Sequence, residues 1–353
     1  MNTVNAYGKQ INTKFDFELV SDEFMSEVTT EFFKLPEKSD VDNCILRLVD
    51  LNQLNIKPIT YYYFRWLMNE CIRHDCKFSV NQAMSNKEIF SFIYSIIKRR
   101  ENYFFFTQGD DRSTKSICEA LRQYFAMGGA GIAGSVAQFP YQTVKYILEK
   151  YNVNNNYYDF SCGWGCRLTG ALCENINYYG TDPNYKLVDK LNEYADDWKK
   201  IVTSNTSLVD IHCCGSENFI PELEHKIGLA FSSTPYFKLE NYIYGNQSCN
   251  MDSYDEWREF YLKPTIENIY KYLIDDGFFI INIKNYQDYD MEHDSVKIAE
   301  EVGFELSCVE DLYLDKNMVR MVGTSDSKTI SISEPMFVFK KGNPKIKQKS
   351  LLW

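Results

Sequence analysis

Two short segments of this 353-residue chain carry residue types that could do chemistry together. The first is Asp159-Phe-Ser-Cys-Gly-Trp-Gly165, in which Asp159, Ser161, Gly163 and Gly165 stand between a strand-like run and a helical one. Glycines at such a turn let the backbone bend tightly and approach a ligand. Asp182, in Gly-Thr-Asp-Pro-Asn, follows about 17 residues after Gly165, close to the spacing at which a carboxylate meets the hydroxyls of a ribose. The plainer alternative is a structural turn with Asp182 capping a helix. The second segment, Phe231-Ser-Ser-Thr-Pro-Tyr-Phe237, closes another strand-like run with the polar turn Ser233, Thr234, Pro235 and Tyr236. A dinucleotide site would want a third glycine where Leu168 stands, and the helix here opens with the bulky Arg167. With no diphosphate cradle, a single adenosyl group with a methionine tail suits the turn better, so the pattern points to S-adenosylmethionine rather than NAD.

Both segments need a scaffold, and the chain supplies a regular one. Strand-like runs fall at Tyr157–Phe160, Asn177–Thr181, Leu208–Cys213, Ile227–Ser232, Phe278–Ile283, Phe304–Val309 and Met336–Lys340. Amphipathic stretches lie between most of them: Leu168–Glu174, Tyr185–Ile201, Tyr254–Leu273 and Ser295–Glu301. Seven strands with interleaved helices predict an α/β, doubly wound sheet, with both segments at the ends of its strands. The first 120 residues instead show helical stretches at Asp22–Lys34, Val41–Leu54, Tyr61–Arg73 and Asn86–Arg100, which predicts an N-terminal helical domain followed by an α/β domain over 121–353. The glycine-rich stretch Met127–Gly134 reads as the flexible segment between the two parts. On that division a chain starting near Leu121 would keep the chemistry.

At this point a resemblance becomes specific. Asp-Phe-Ser-Cys-Gly-Trp-Gly-Cys-Arg-Leu-Thr-Gly-Ala-Leu resembles the first motif of DNA methyltransferases that modify exocyclic amino groups (cytosine N4 or adenine N6), particularly small phage-borne ones. Gly-Thr-Asp-Pro-Asn and Cys-Gly-Ser216-Glu217 look like the second and third motifs, and Ser233-Thr-Pro-Tyr236 looks like the catalytic one. Ala137-Gln-Phe139-Pro140 resembles the segment that packs on the methionine end of the cofactor. The likeness spans about residues 120–340. It implies a mostly parallel seven-stranded methyltransferase sheet, S-adenosylmethionine as cofactor and DNA as partner, with Phe139, Asp159, Ser161, Gly163, Gly165, Asp182, Ser216 and Glu217 around the cofactor. An exocyclic amino nitrogen is a poor nucleophile, because its lone pair is delocalised into the ring. The resemblance therefore implies that the Ser233 side chain and the Thr234 carbonyl accept its two N–H bonds, that Pro235 stiffens the loop, and that Tyr236 stacks on a flipped-out base. The family usually has Pro-Pro where this chain has Thr234-Pro235, which touches loop shape and rigidity. Ser at the first position leans toward cytosine N4. Carbon-5 cytosine chemistry needs a Pro-Cys step that the chain lacks. Methylation of amino groups in RNA, or an inactive module keeping the fold, are the alternative readings.

The segment 241–252, with Glu240 and Tyr242 flanking the pocket, reads as a lid over the substrate. Only about 70 residues separate Gly165 from Ser233, so any surface that reads bases falls to the N-terminal part. Two basic runs offer weak support: Lys98-Arg99-Arg100 followed by Tyr103–Phe106, and Lys340, Lys341, Lys345, Lys347 and Lys349. Composition sets bounds on all of this. Net charge is -11, which excludes a uniformly basic nucleic-acid coat. The 11 cysteines contain no C-x-x-C pair and the four histidines are not at ligand spacing, so neither zinc nor a disulfide framework is expected. No apolar run reaches about 18 residues, and the N-terminus lacks a basic region followed by an apolar stretch. Those features predict a cytoplasmic protein, or one of the host-cell cytoplasm if phage-borne.

Overall fold

The computed structural model describes residues 3–13, 15–51, 55–99, 113–313 and 333–342. In chain order, a hairpin β1 (Thr3–Ala6) and β2 (Lys9–Asn12) precedes α1 (Asp22–Phe32) and α2 (Lys38–Leu51). Next, α3 (Lys57–Ile59) runs through one π-helical turn, Thr60–Phe64, into α4 (Arg65–Glu70). Then come β3 (Ile72–Arg73), α5 (Val80–Ser85), α6 (Lys87–Arg99), α7 (Thr114–Ala126) and α8 (Tyr141–Tyr151). The remainder alternates: β4 (Asn156–Asp159), α9 (Cys166–Cys173), β5 (Asn177–Thr181), α10 (Tyr185–Ile201), β6 (Val209–His212) and β7 (Ile227–Ser233). It continues with β8 (Glu240–Asn241), α11 (Tyr254–Trp257), α12 (Lys263–Tyr272), β9 (Leu273–Asn282), α13 (Met291–Val302), β10 (Phe304–Tyr313) and β11 (Ser333–Lys341).

Seven strands form one sheet in the order β10-β11-β9-β7-β4-β5-β6. All its pairings are parallel except the two made by β11, which runs antiparallel between β9 and β10. The expected doubly wound, mostly parallel sheet is therefore present. Strand order reverses at β4, which has β5 on one side and β7 on the other, and a crevice opens there at the strands' C-terminal ends. Successive residues of a strand face opposite sides, and the sequence obeys this on two buried faces. Tyr157, Phe231, Ile280 and Met336 belong to one core, while Tyr158, Ala230, Ile281 and Phe337 belong to the other. Helix α10 presents Leu187, Leu191, Tyr194 and Trp198 to the first core, and its N-cap Asn184 accepts a hydrogen bond from the Leu187 N–H at 3.1 Å.

The first core crosses the boundary expected near residue 120. Val41, Ile45, Leu48, Tyr63, Phe64 and Leu67 are buried in it together with the sheet and α8–α10. Tyr63 donates to Asp197 of α10 at 2.7 Å, and its ring lies 5.1 Å from that of Tyr194. A third core, from Val4 to Ala133, crosses that boundary as well: Leu121, Tyr124, Phe125, Ile132 and Ala133 are buried in it with residues of the first 120. Its helix α7 was not anticipated from sequence. Met127–Gly134 is not a loose linker either. Tyr124 donates to the Gly129 carbonyl at 2.6 Å, Ser135 N–H bonds Phe125 O at 2.9 Å, and Ala133 bridges Phe78. Its glycines serve tight turning, with φ of +86°, +53° and +76° at Gly128, Gly129 and Gly131.

These contacts reverse the expected outcome of truncation. Removing residues 1–120 strips eight large apolar side chains from the sheet's own core, Ile59 and Met68 besides the six named. Each such loss costs roughly 2–5 kcal/mol, and their sum exceeds a typical domain's total stability of about 5–15 kcal/mol. A chain starting near Leu121 should show no cooperative thermal transition by near-ultraviolet circular dichroism. A sharp transition would mean that the sheet closes its core without α2–α4.

Candidate functional site

The crevice at the reversal of strand order holds two adjoining chambers. The first is lined by Ser161, Gly163, Trp164, Asp182, Ser216 and Glu217, with Pro183, Asn184 and Tyr261 around them. The second is lined by Phe139, Ser233, Thr234, Pro235, Tyr236 and Glu240, with Arg167, Asn282 and Glu334. Ser161, Gly163, Trp164, Pro235 and Tyr242 border both. The two segments singled out from sequence thus face one another across a shared wall.

The turn after β4 is held by charge. Asp159 is wholly buried; it accepts from Arg167 Nε at 2.8 Å, from the Tyr178 hydroxyl at 2.8 Å and from Ser161 N–H at 3.3 Å. Arg167 also donates to the Ser161 carbonyl. Asp159 therefore lines neither chamber and shapes the turn from behind, which corrects its expected place beside a ligand. Gly165 likewise lines neither chamber. It opens α9 in a left-handed conformation, φ +75°, and a Cβ there would meet the Phe64 ring at 2.6 Å, so a glycine is needed there to admit the N-terminal part.

Asp182 does border the first chamber. Its carboxylate accepts from Asn184 N–H at 2.9 Å and from the backbone N–H of Gly163, yet burial pushes its pKa up to about 7. Glu217, half-buried, is also raised by burial, and Asn218 donates to it at 3.3 Å. Ser216 shares a hydrogen bond with Thr265 at 2.8 Å. Two carboxylates beside a backbone loop offer acceptors for ribose hydroxyls, and the Trp164 wall offers a flat apolar face. A ribonucleoside fits that set of acceptors.

The polar turn after β7 borders the second chamber with all four of its residues. Thr234 is buried, and its hydroxyl shares a hydrogen bond with Tyr261 at 2.9 Å. The side chain that replaces the expected proline is thus tied down. The Tyr236 hydroxyl bonds the Lys284 backbone, and burial raises its pKa well above the ordinary phenol range. Phe139 packs edge-on against Phe231 at 5.5 Å and lies 5.7 Å from the Arg167 guanidinium.

Three features were not read from sequence. Gln138 donates to the Trp164 carbonyl at 3.3 Å and accepts from Thr60 at 3.1 Å, so the π-helical turn of the N-terminal part steadies the shared wall. Asn282 and Glu334 reach the second chamber from β9 and β11. A polar residue ending the apolar run Phe278-Phe-Ile-Ile-Asn282 was the available signal for the first, but neither lies in a motif. The segment 241–252 does cover the crevice, over the first chamber and not the second: Asn246, Gln247 and Ser248 line the first, and only Tyr242 reaches both. Gly245, φ +79°, lies so close to the Pro183 carbonyl that no side chain fits there. Of the basic runs, Arg100 and Tyr103–Phe106, and Lys345, Lys347 and Lys349, lie outside the described residues. Arg99 is engaged by the Asp16 carbonyl and the Phe15 ring, Lys340 pairs with Asp276 at 3.0 Å, and Lys341 is buried against the Leu273 carbonyl. Among the described residues no helix is long and apolar enough to cross a membrane.

No family model matches the chain, and no curated protein does. Solved structures overlap with it in part. The [4+2]-cyclase SpnF is 12% identical, over 57% of this chain and 80% of its own, with a TM-score of 0.40. Geranyl diphosphate C-methyltransferase from Streptomyces coelicolor, solved with S-adenosyl-L-homocysteine, is 8% identical over 57% and 79%, also at 0.40. A SAM-dependent O-methyltransferase from Thermotoga maritima is 11% identical over 59% and 67%, at 0.38. Overlaps this distant carry no activity across, and the fold stands on its own strand order.

The state of Asp182 can be tested directly. Its raised pKa means that ionising it opposes folding: the penalty builds from about pH 4, the ordinary aspartate value, to about pH 7, and is full above that. Asp182→Asn removes the penalty and keeps an acceptor for Asn184 N–H. At about pH 8 the variant should melt no lower than the unsubstituted chain by calorimetry, whereas its affinity for S-adenosylhomocysteine should fall. Unchanged affinity would remove Asp182 from the ligand site.

Proposed function

We propose that this chain is an S-adenosylmethionine-dependent methyltransferase that modifies an exocyclic amino group, cytosine N4 or adenine N6, of a base flipped out of DNA. One observation carries the reading. A chamber suited to a ribonucleoside, at the turn after β4, shares a wall with a chamber bordered by Ser233, Thr234, Pro235 and Tyr236. In this reading Asp182 and Glu217 hold the ribose, Ser161 and Gly163 line the passage, Ser216 closes the adenine side and Phe139 meets the methionine end. Bound there, S-adenosylmethionine supplies an electrophilic methyl group on sulfonium.

The rest is done by the chain's own groups. The Ser233 side chain and the Thr234 carbonyl accept the two N–H bonds of the amino group, drawing its lone pair out of conjugation and toward the shared wall. The Thr234 hydroxyl, held by Tyr261, keeps that carbonyl in one place. Tyr236 presents its ring to the base, with its hydroxyl anchored on the Lys284 backbone. Burial of the crevice beneath 241–252 limits water at the junction.

Labelled S-adenosylmethionine, offered with duplex DNA or with total RNA, tests the reading: label in DNA supports it, and label only in RNA moves the substrate to RNA. Tyr236→Ala should lower turnover on the labelled polymer by the loss of stacking, worth about 1–3 kcal/mol, with cofactor affinity nearly intact by calorimetry. Tyr236→Phe should stay largely active, because the ring face does the work. Equal damage from Phe and Ala would assign the role to the hydroxyl.

A further inference from the structure

We propose that Asn282 and Glu334 are specificity-determining residues that read the edge of the substrate, and that the substrate is a flat heterocycle carrying an amino group beside a ring nitrogen. This rests on the methyl-transfer reading above and narrows what fills the second chamber.

The sheet register puts these residues in a row with Ser233. Ser233 pairs with Asn282, Asn282 pairs with Met336, and Glu334 lies two residues before Met336 on the same strand. Phe231, Ile280 and Met336, each two residues from a member of the row, share one core. By strand alternation Ser233, Asn282 and Glu334 therefore share that face, at the end of three adjacent strands. Two strand spacings combined with the two-residue step from Met336 to Glu334 amount to roughly 12 Å, enough for a heterocyclic ring with its substituents.

Each member of the row is free to meet a ligand. Asn282 is wholly buried; its Nδ2 donates to the Pro335 carbonyl at 3.1 Å, and its Oδ1 has no partner. A buried amide oxygen without a donor is uncommon and needs an explanation. Glu334 is half-buried and accepts no hydrogen bond from the described residues. Burial raises its pKa against the opposing pull of Lys284, and the protonated form would offer an O–H beside its C=O. Across the chamber Glu240 is bound by the Tyr242 hydroxyl, and the Arg167 charge is matched by Asp159. An anion would meet two carboxyls here with no unmatched cation lining the chamber among the described residues. A group rich in N–H donors meets acceptors instead. The Phe139, Trp164 and Tyr236 rings favour a flat occupant. An amino group next to a ring nitrogen complements the row: one N–H is shared between Ser233 and its register partner Asn282, the other goes to the Thr234 carbonyl, and the ring nitrogen receives the O–H of Glu334 in its protonated form.

Ligand-observed NMR with free cytosine, adenine and uracil, in the presence of S-adenosylhomocysteine, tests this without requiring turnover. Cytosine or adenine should bind at least about tenfold tighter than uracil, whose carbonyl would face the Asn282 oxygen. Glu334→Ala should lose about tenfold for the amino heterocycle, whereas Glu334→Gln, which keeps a donor and an acceptor, should stay within about threefold. Both variants should keep the unsubstituted melting temperature and S-adenosylhomocysteine affinity. Uracil binding as well as cytosine and adenine, no effect of Glu334→Ala, or no binding of either amino heterocycle at its solubility limit would overturn the proposal. Selective binding without transfer to DNA or RNA would uphold the assignment of the chamber and overturn the polymer reading instead.

Discussion

The Asp159–Arg167 ion pair is the constraint on which the site depends. Both groups are almost wholly buried, and the pair ties the end of β4 to the first turn of α9 across the loop that borders both chambers. Moving two charges out of water is costly, and the pair persists because each has further partners: Tyr178 and Ser161 N–H for the carboxylate, the Ser161 carbonyl for the guanidinium. Removing one partner would strand the other's charge, at a cost of about 3–5 kcal/mol. The loop is therefore rigid before any ligand arrives. Preorganised backbone of this kind lets Gly163 present its N–H to Asp182 without paying for order at the moment of binding.

A second set of contacts makes the N-terminal helices part of the site. Thr60 bonds Gln138, Gln138 bonds the carbonyl of Trp164, and Phe64 occupies the space that a side chain at residue 165 would need. The strand pair β3–β8 joins the same region to the base of the covering segment 241–252. Rather than an appendage that only orients a polymer, residues 38–73 brace the crevice from behind. The π-helical turn Thr60–Phe64 places Tyr63 and Phe64 in the core with the Thr60 hydroxyl turned to Gln138. Such turns often accompany functional sites.

Much of this was legible in the sequence because it rests on local rules. The seven strands and their helices follow from alternation and spacing, and the turn after β4 from Gly163 and Gly165. The misreadings share a cause. Asp159 looked like a ligand contact because sequence spacing cannot tell a residue that lines a pocket from one that braces it. Met127–Gly134 looked flexible because glycine permits both looseness and the tight, positive-φ turn actually present. The division near residue 120 failed to foresee that Ile45, Leu48, Tyr63 and Phe64 complete the core of a sheet more than 80 residues away. Asn282 and Glu334 were missed for the same reason: only the register of β7, β9 and β11 brings them beside Ser233.

The Thr234-Pro235 step shows how a departure from a motif can be absorbed. Two prolines in succession would fix the loop by restricting φ at both positions. Threonine gives up one of those restrictions and introduces a hydroxyl that must find a partner when buried. Tyr261 is that partner, and it stands on the π-helical turn Arg258–Leu262 between α11 and α12. That turn shifts the helical register, and Tyr261 and Leu262 are buried in the core on the far side of the sheet. The loop is thereby anchored to a fixed element through a side-chain hydrogen bond in place of a ring. Rigidity of the second position has moved from a covalent restriction to a tertiary contact, and its carbonyl, common to threonine and proline, remains available to an amino group.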